Sequence, residues 1–133
     1  MAKSERSRLR KKCIDLAKKC AKGRDQYRCQ RNPEHKGQMH GSHVIAVSRD
    51  GRLAASPNNI KCLCAHCHFW WHENPIEAAR WFEEYAPERL AELEAELIEN
   101  NKKGTIPIGW WRDQKKKLTS ELKEIERLSL IHI

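Results

Sequence analysis

Between residues 40 and 72 the chain places His40, His43, Asn59, Cys64, His66, Cys67, His68 and His72. Thiolates and imidazole nitrogens are the preferred ligands of zinc-like ions, and an imidazole titrates where protons must move at neutral pH. The residue types therefore point to metal ligation combined with acid–base chemistry. Cys64 and Cys67 are three positions apart at a turn entering a helix, so both sulfurs can reach one tetrahedral ion at about 2.3 Å. An upstream partner pair begins at Cys29, but Asn32 stands where its second thiol belongs. His35 lies just beyond and is the candidate fourth ligand. Cys62 is the alternative, on the same strand face as Cys64. Cys13 and Cys20 lie on a helical stripe and read as small core residues.

The elements that must position these groups follow from periodicity and punctuation. Leu9, Cys13, Leu16, Ala17 and Cys20 predict a helix over residues 9–22 ended by Gly23. Residues 39–47, with Val44, Ile45 and Val47, predict a strand, and Asp50-Gly51 marks a loop or hairpin tip. A second short strand is predicted over 60–63, then a helix from Cys64 or Ala65 that carries Cys67, His68, Trp71 and His72. Asn74-Pro75 reads as a cap and first position of the next helix, running to about Tyr85. Pro87 opens another through Asn100, with Leu90, Leu93, Leu97 and Ile98 as its buried stripe. After a connector over 104–109, Leu118, Leu122, Ile125 and Leu128 mark a last amphipathic helix that packs against another. Phe69, Trp70, Trp71, Trp81 and Phe82 are expected to wrap the metal hairpin, and Trp110 and Trp111 to dock the last helix. The expectation is one domain: a basic helical arm (1–24), a metal-bearing core (25–85) and C-terminal helices (86–133). The last residues, 129–133, carry no readable pattern.

The chain has 133 residues and a formal charge of +8. That excess favours a polyanionic partner. It is concentrated: residues 1–31 hold twelve lysines and arginines against Glu5, Asp15 and Asp25, whereas residues 83–99 hold seven glutamates against Arg89. Lys11, Lys12, Lys18, Lys19 and Arg24 of the arm, with Arg49 and Arg52 near the loop, are the candidate phosphate contacts. No apolar run reaches membrane-spanning length and no leader is recognisable, so a cytoplasmic protein with no membrane partner is expected. In a reducing compartment, clustered cysteines favour metal over disulfides.

His43-Val44-Ile45, Pro57-Asn58-Asn59-Ile60 and Leu63-Cys64-Ala65-His66-Cys67-His68 together resemble the HNH (ββα-metal) endonuclease family over roughly residues 24–85. The Ser42-His43 pair and the Asn74-Pro75 helix start look like a phage-borne branch, which would place the protein in a host cell's cytoplasm. The resemblance implies an α+β, mostly helical fold with a central ββα-metal hairpin and structural zinc, flanked by N- and C-terminal helices. It implies metal-dependent hydrolysis of DNA, double-stranded or branched, to 3′-hydroxyl and 5′-phosphate ends with weak sequence or structure specificity. His43 would be the general base, Asn59 its orienting residue, and His68 a ligand of a catalytic divalent ion (Mg, Mn, Ni or Zn). Many members of the family carry a metal-binding acid or histidine just before the base. Here that residue is Ser42, so either a water or the phosphate takes its place, or His72, one helical turn from His68, or His40 supplies the missing bond. His66 is expected to be exposed or to donate from outside the ligands. Competing readings are a non-catalytic zinc-binding DNA module and a phage recombination or packaging adaptor that binds a protein partner through the C-terminal helices.

Overall fold

In a computed structural model, residues 2–131 are described. The order is α1 (Glu5–Arg24), β1 (Met39–His43), α2 (Gly51–Ala54), a single 3₁₀ turn (Pro57–Asn59), β2 (Ile60–Cys64), α3 (Ala65–Glu73), α4 (Pro75–Tyr85), α5 (Pro87–Asn101) and α6 (Ile108–Ile131). The fold is mostly helical, with one two-stranded antiparallel sheet, as the resemblance implied. Among the described residues no helix is long and apolar enough to cross a membrane.

Helix α1 begins earlier than its apolar stripe, because Ser4 caps it by accepting from the Ser7 amide. It also runs past Gly23. The left-handed residues Gln26 and Tyr27 turn the chain out of the helix instead. Gly23 serves a contact: a Cβ there would sit 2.6 Å from Ile125 Cγ2 of α6. Along this seam Cys13, Leu16, Ala17, Cys20 and Ala21 bury themselves with Trp111 and Leu118, and Leu122 and Ile125 complete the face. Each large apolar side chain buried there contributes on the order of 2 kcal/mol. Leu128 lies beyond the seam and is exposed, as is Ile98 on α5. Both depart from the predicted stripes because no element reaches over them.

The sheet pairs Met39 with Cys64, His40 with Leu63, Gly41 with Cys62, Ser42 with Lys61 and His43 with Ile60. Strand β1 ends at His43 rather than Val47, because the Asn59 side chain takes over the pairing. Its Oδ1 accepts from the Ile45 amide at 2.8 Å, and its Nδ2 donates to Ile45 O at 3.0 Å and Leu53 O at 3.1 Å. Asp50 is not a hairpin-turn residue; its carboxylate caps α2 through the Arg52 and Leu53 amides. The outer edge of β2 is covered by side chains. Asp25 accepts from the Cys62 amide, and Arg24 and Arg89 both donate to Ile60 O at 2.6 Å. Asn74 precedes α4 without a side-chain cap and donates back to Trp70 O at 3.1 Å. Trp71, Trp81, Phe82 and Tyr85 pack edge-on or stacked behind the hairpin, but Phe69 points to solvent, two-thirds exposed.

Candidate metal centre and histidine cluster

Cys29 sits in the turn leaving α1, His35 in the loop before β1, Cys64 at the end of β2 and Cys67 in the first turn of α3. Their ligand atoms lie within 4.8 Å of one another. His35 Nδ1 is 3.2 Å from Cys67 Sγ and 3.6 Å from Cys64 Sγ. A tetrahedral zinc-like ion requires sulfur–nitrogen edges of about 3.6 Å, so this group can hold a metal. Asn32, in the position expected for a thiol, builds the ligand loop instead. Its Oδ1 accepts from the Glu34 amide, its carbonyl accepts from the His35 amide, and its Nδ2 lies 3.3 Å from His35 Nε2. Cys62 is outside the group and is buried core, its thiol pushed up to about 11 by burial and by Asp25.

The thiols have a charge problem that a cation solves. Burial pushes Cys29 up, but amides of Cys64, Asn32 and Arg31 outweigh it and leave Cys29 below the ordinary thiol value. Cys67 is pushed up to about 12 by burial and by the neighbouring Cys64 and Cys29 sulfurs, against the pull of Arg31. One thiolate forms readily; the next is opposed until positive charge arrives. Arg31 supplies part of that charge. Its Nη1 lies 3.4 Å from Cys67 Sγ, and its guanidinium stacks 3.6 Å from the Trp70 ring centre. Nothing in the local spacing of Arg31 marks it for this position, 36 residues from Cys67.

A second group forms where β1 faces α3. His40 Nδ1 is 2.8 Å from His68 Nδ1, and His72 Nε2 is 3.1 Å from His68 Nε2. The three rings therefore form a chain through the two nitrogens of His68, not a triangle around one point. Neighbouring nitrogens on a common ion stand about 3 Å apart, so either pair fits one metal. Burial, then the neighbouring His72 and His40, lowers His68 to about 4, so at neutral pH the ring is uncharged and one of its two nitrogens is free as a ligand while the other carries the proton. His66 is exposed, with its ring edge-on to His35.

His43 belongs to the other face of β1, since His40 and His43 are three residues apart on a strand of period two. It makes no direct contact with His68, yet both rings are depressed by the same two ammonium groups, Lys18 and Lys61. His43 Nε2 lies 2.9 Å from Ala54 O. A carbonyl can only accept, so Nε2 carries the proton and Nδ1 is left as the proton acceptor. Burial lowers the His43 pKa below 6.5, Lys18 and Lys61 add to the effect, and the Ala54 bond opposes it.

The candidate phosphate contacts divide. Lys12, Lys19 and Arg49 are exposed, and Lys11 pairs with Asp15 at 2.9 Å. Arg52 is half-buried, 5.9 Å from the Trp110 ring centre. Lys18 lies against β1 at Gly41, where a Cβ would come within 2.8 Å of its Cγ. Arg24 is turned inward onto Pro57 O, Ile60 O and the Asp25 carboxylate, so it braces the fold. Ser42 is fully buried, its hydroxyl 2.9 Å from Lys61 Nζ. Lys61 is the site residue that sequence reasoning missed. A lone lysine in an apolar strand gives no signal of where its ammonium goes.

No curated protein and no solved structure matches the chain. The HNH endonuclease family model matches residues 26–69. That stretch contains all four Cys/His candidate ligands, both strands, and His40, His43, Asn59 and His68, and it stops short of His72. This part of the chain is thus similar to a family of endonucleases, which points to nuclease-type chemistry on DNA.

Proposed function

We propose that the protein is a metal-dependent DNA endonuclease of the HNH type that hydrolyses phosphodiesters to 3′-hydroxyl and 5′-phosphate ends. The observation that carries the reading is His68, held between His40 on β1 and His72 on α3 while His43 presents a free Nδ1 at the end of the same strand. His43 takes the proton from a water molecule as its oxygen attacks phosphorus. The P–O3′ bond then breaks, and the leaving oxygen takes up a proton from solvent to become the 3′-hydroxyl. Asn59 fixes the strand end behind His43. His68, with His40 or His72, would hold a divalent ion that supplies Lewis acidity at the phosphate. An all-imidazole donor set favours Mn, Ni or Zn over Mg, which prefers oxygen ligands. Cys29, His35, Cys64 and Cys67 would hold a structural zinc.

Lys18, Arg49 and Arg52, with Lys11, Lys12 and Lys19 further out, would engage the DNA backbone. Such contacts give salt-sensitive affinity with little sequence information. The buried Ser42 favours the second reading, a zinc-bearing DNA-binding module without catalysis, because it removes the ligand position before His43. Plasmid cleavage with Mn, Ni, Zn or Mg, comparing the native chain with His43→Ala, separates the two. Metal-dependent nicking that falls at least about 100-fold in the variant is expected from loss of a general base. Tight DNA binding with no cleavage under any ion would establish the module.

A further inference from the structure

We propose that Lys61 is a positioning residue whose buried ammonium ties the strand carrying His43 to the helix carrying His68. The inference deepens the nuclease reading and rests on it for its catalytic consequence.

Lys61 is fully buried in the middle of β2. Its Nζ donates to Ser42 Oγ at 2.9 Å, Ser42 O at 3.3 Å and His43 O at 3.2 Å. It also sits 3.2 Å from the ring centre of Trp71, which follows His68 by three residues and directly precedes His72. One ammonium thus touches the last two residues of β1 and the stretch of α3 between its two site histidines. Burial and the charge of Arg89 pull its pKa well down. Three oxygens and an aromatic face oppose that pull and favour the charged form. Packing alone does not account for the charge, since an apolar side chain of equal length would fill the same space without desolvation.

The His43–Val44 peptide plane is gripped from both sides. Its carbonyl accepts from Lys61, and its amide donates to Asn59 O at 2.8 Å. With Nε2 bonded to Ala54 O, the His43 side chain is fixed at backbone and ring. The hydroxyl and the carbonyl of Ser42 are also turned to Lys61, and His40 is the residue of β1 that meets His68.

The test is Lys61→Met, which keeps the stem against Trp71 and removes charge and donors, with Ser42→Ala as a milder second variant. Hydrogen exchange at the Val44 and Ile45 amides reads the tie without any nuclease activity. In Lys61→Met these amides should exchange at least about 10-fold faster, with α1 and α6 amides, bound metal and thermal midpoint little changed. Ser42→Ala should move the same two amides less. Turnover should fall about 100-fold, the scale of an ångström-sized misplacement, with KM for DNA within about threefold. Unchanged exchange at Val44 and Ile45, in either variant that folds, overturns the proposal. So does a loss of protection spread evenly over the molecule, which would make Lys61 an ordinary core residue. A native chain that cleaves nothing refutes the nuclease reading, while the exchange comparison still decides the role of Lys61.

Discussion

Removing the metal from the Cys29, His35, Cys64 and Cys67 group should unfold the hairpin, not merely loosen it. Residues 29–38 have no regular structure beyond turns. Apart from the four candidate ligand atoms and short-range turn bonds, they reach the rest of the molecule through four hydrogen bonds: the Gln30 amide to Cys62 O, Tyr85 Oη to Gln30 Oε1, the Ala65 amide to Gln38 O, and Arg31 Nη1 to Cys67 Sγ. The Arg31 stack on Trp70 adds one further contact. Fixing ten residues costs roughly 10–20 kcal/mol of backbone entropy. Four hydrogen bonds at about 1 kcal/mol each and a cation–π contact of about 1 kcal/mol offset only part of it. The shortfall, roughly 5–15 kcal/mol, overlaps the apparent contribution of a structural zinc, about 10–16 kcal/mol. The core there offers little else: three of the four buried residues of that cluster are the cysteine ligands, with Leu63 the fourth.

The assay is titration with a strong chelator, followed by elemental analysis and peptide-resolved hydrogen exchange. Loss of one bound ion should release protection over residues 29–43 and 60–72 together. The α1–α6 seam has its own core, so its peptides should retain most of their protection. Cys67→Ser should reproduce the result without chelator. Metal-free protein with native exchange rates across 29–43 would refute the reasoning, because it would mean that the loop's own contacts suffice.

Asn59→Ala removes three side-chain hydrogen bonds and strands buried or half-buried partners at Ile45 and Leu53. A loss of about 3–4 kcal/mol in urea unfolding is expected at roughly 1 kcal/mol or more per bond, and a loss below about 1 kcal/mol would contradict the assigned geometry. The pH–rate profile should stay flat from pH 8 to below 6.5, because the folded His43 binds its proton more weakly than an ordinary imidazole. Cleavage should then fall as the ring protonates; an acid limb centred above 6.5 would contradict the buried base. The same depressed pKa contributes stability that is fully present above about 6.5 and is lost as pH falls towards the folded value.

Much of the fold was readable because its signals are local. Pro87, the apolar stripe of α1 and the Cys64–Cys67 spacing each act within a turn or two, and the corresponding elements form where expected. The misreadings came where a distant partner won. Val44 and Ile45 have strand-forming side chains, but the Asn59 side-chain amide, 14 residues on, takes both backbone groups of Ile45, and the Asn59 carbonyl takes the Val44 amide. Gly23 resembles a helix stop in one dimension and is a contact for Ile125 in three. Asp50-Gly51 resembles a hairpin turn, whereas the free Leu53 and Arg52 amides recruit the carboxylate as a cap.

Residue order alone carries the inventory: thiols and imidazoles spaced so that a strand, a turn and a helix can bring them together, on a chain whose positive charge lies mostly at one end. Ligand chemistry and helix periodicity depend on residue type and near spacing, so they survive reading in one dimension. Which groups face each other emerges in three dimensions: the chain of rings through His68, Arg31 against Cys67, Arg24 turned inward, and Lys61 beneath Ser42 and His43. Each of these depends on strand register and on the packing of elements tens of residues apart. Long cationic side chains can reach several partners, and burial, not sequence position, selects among them.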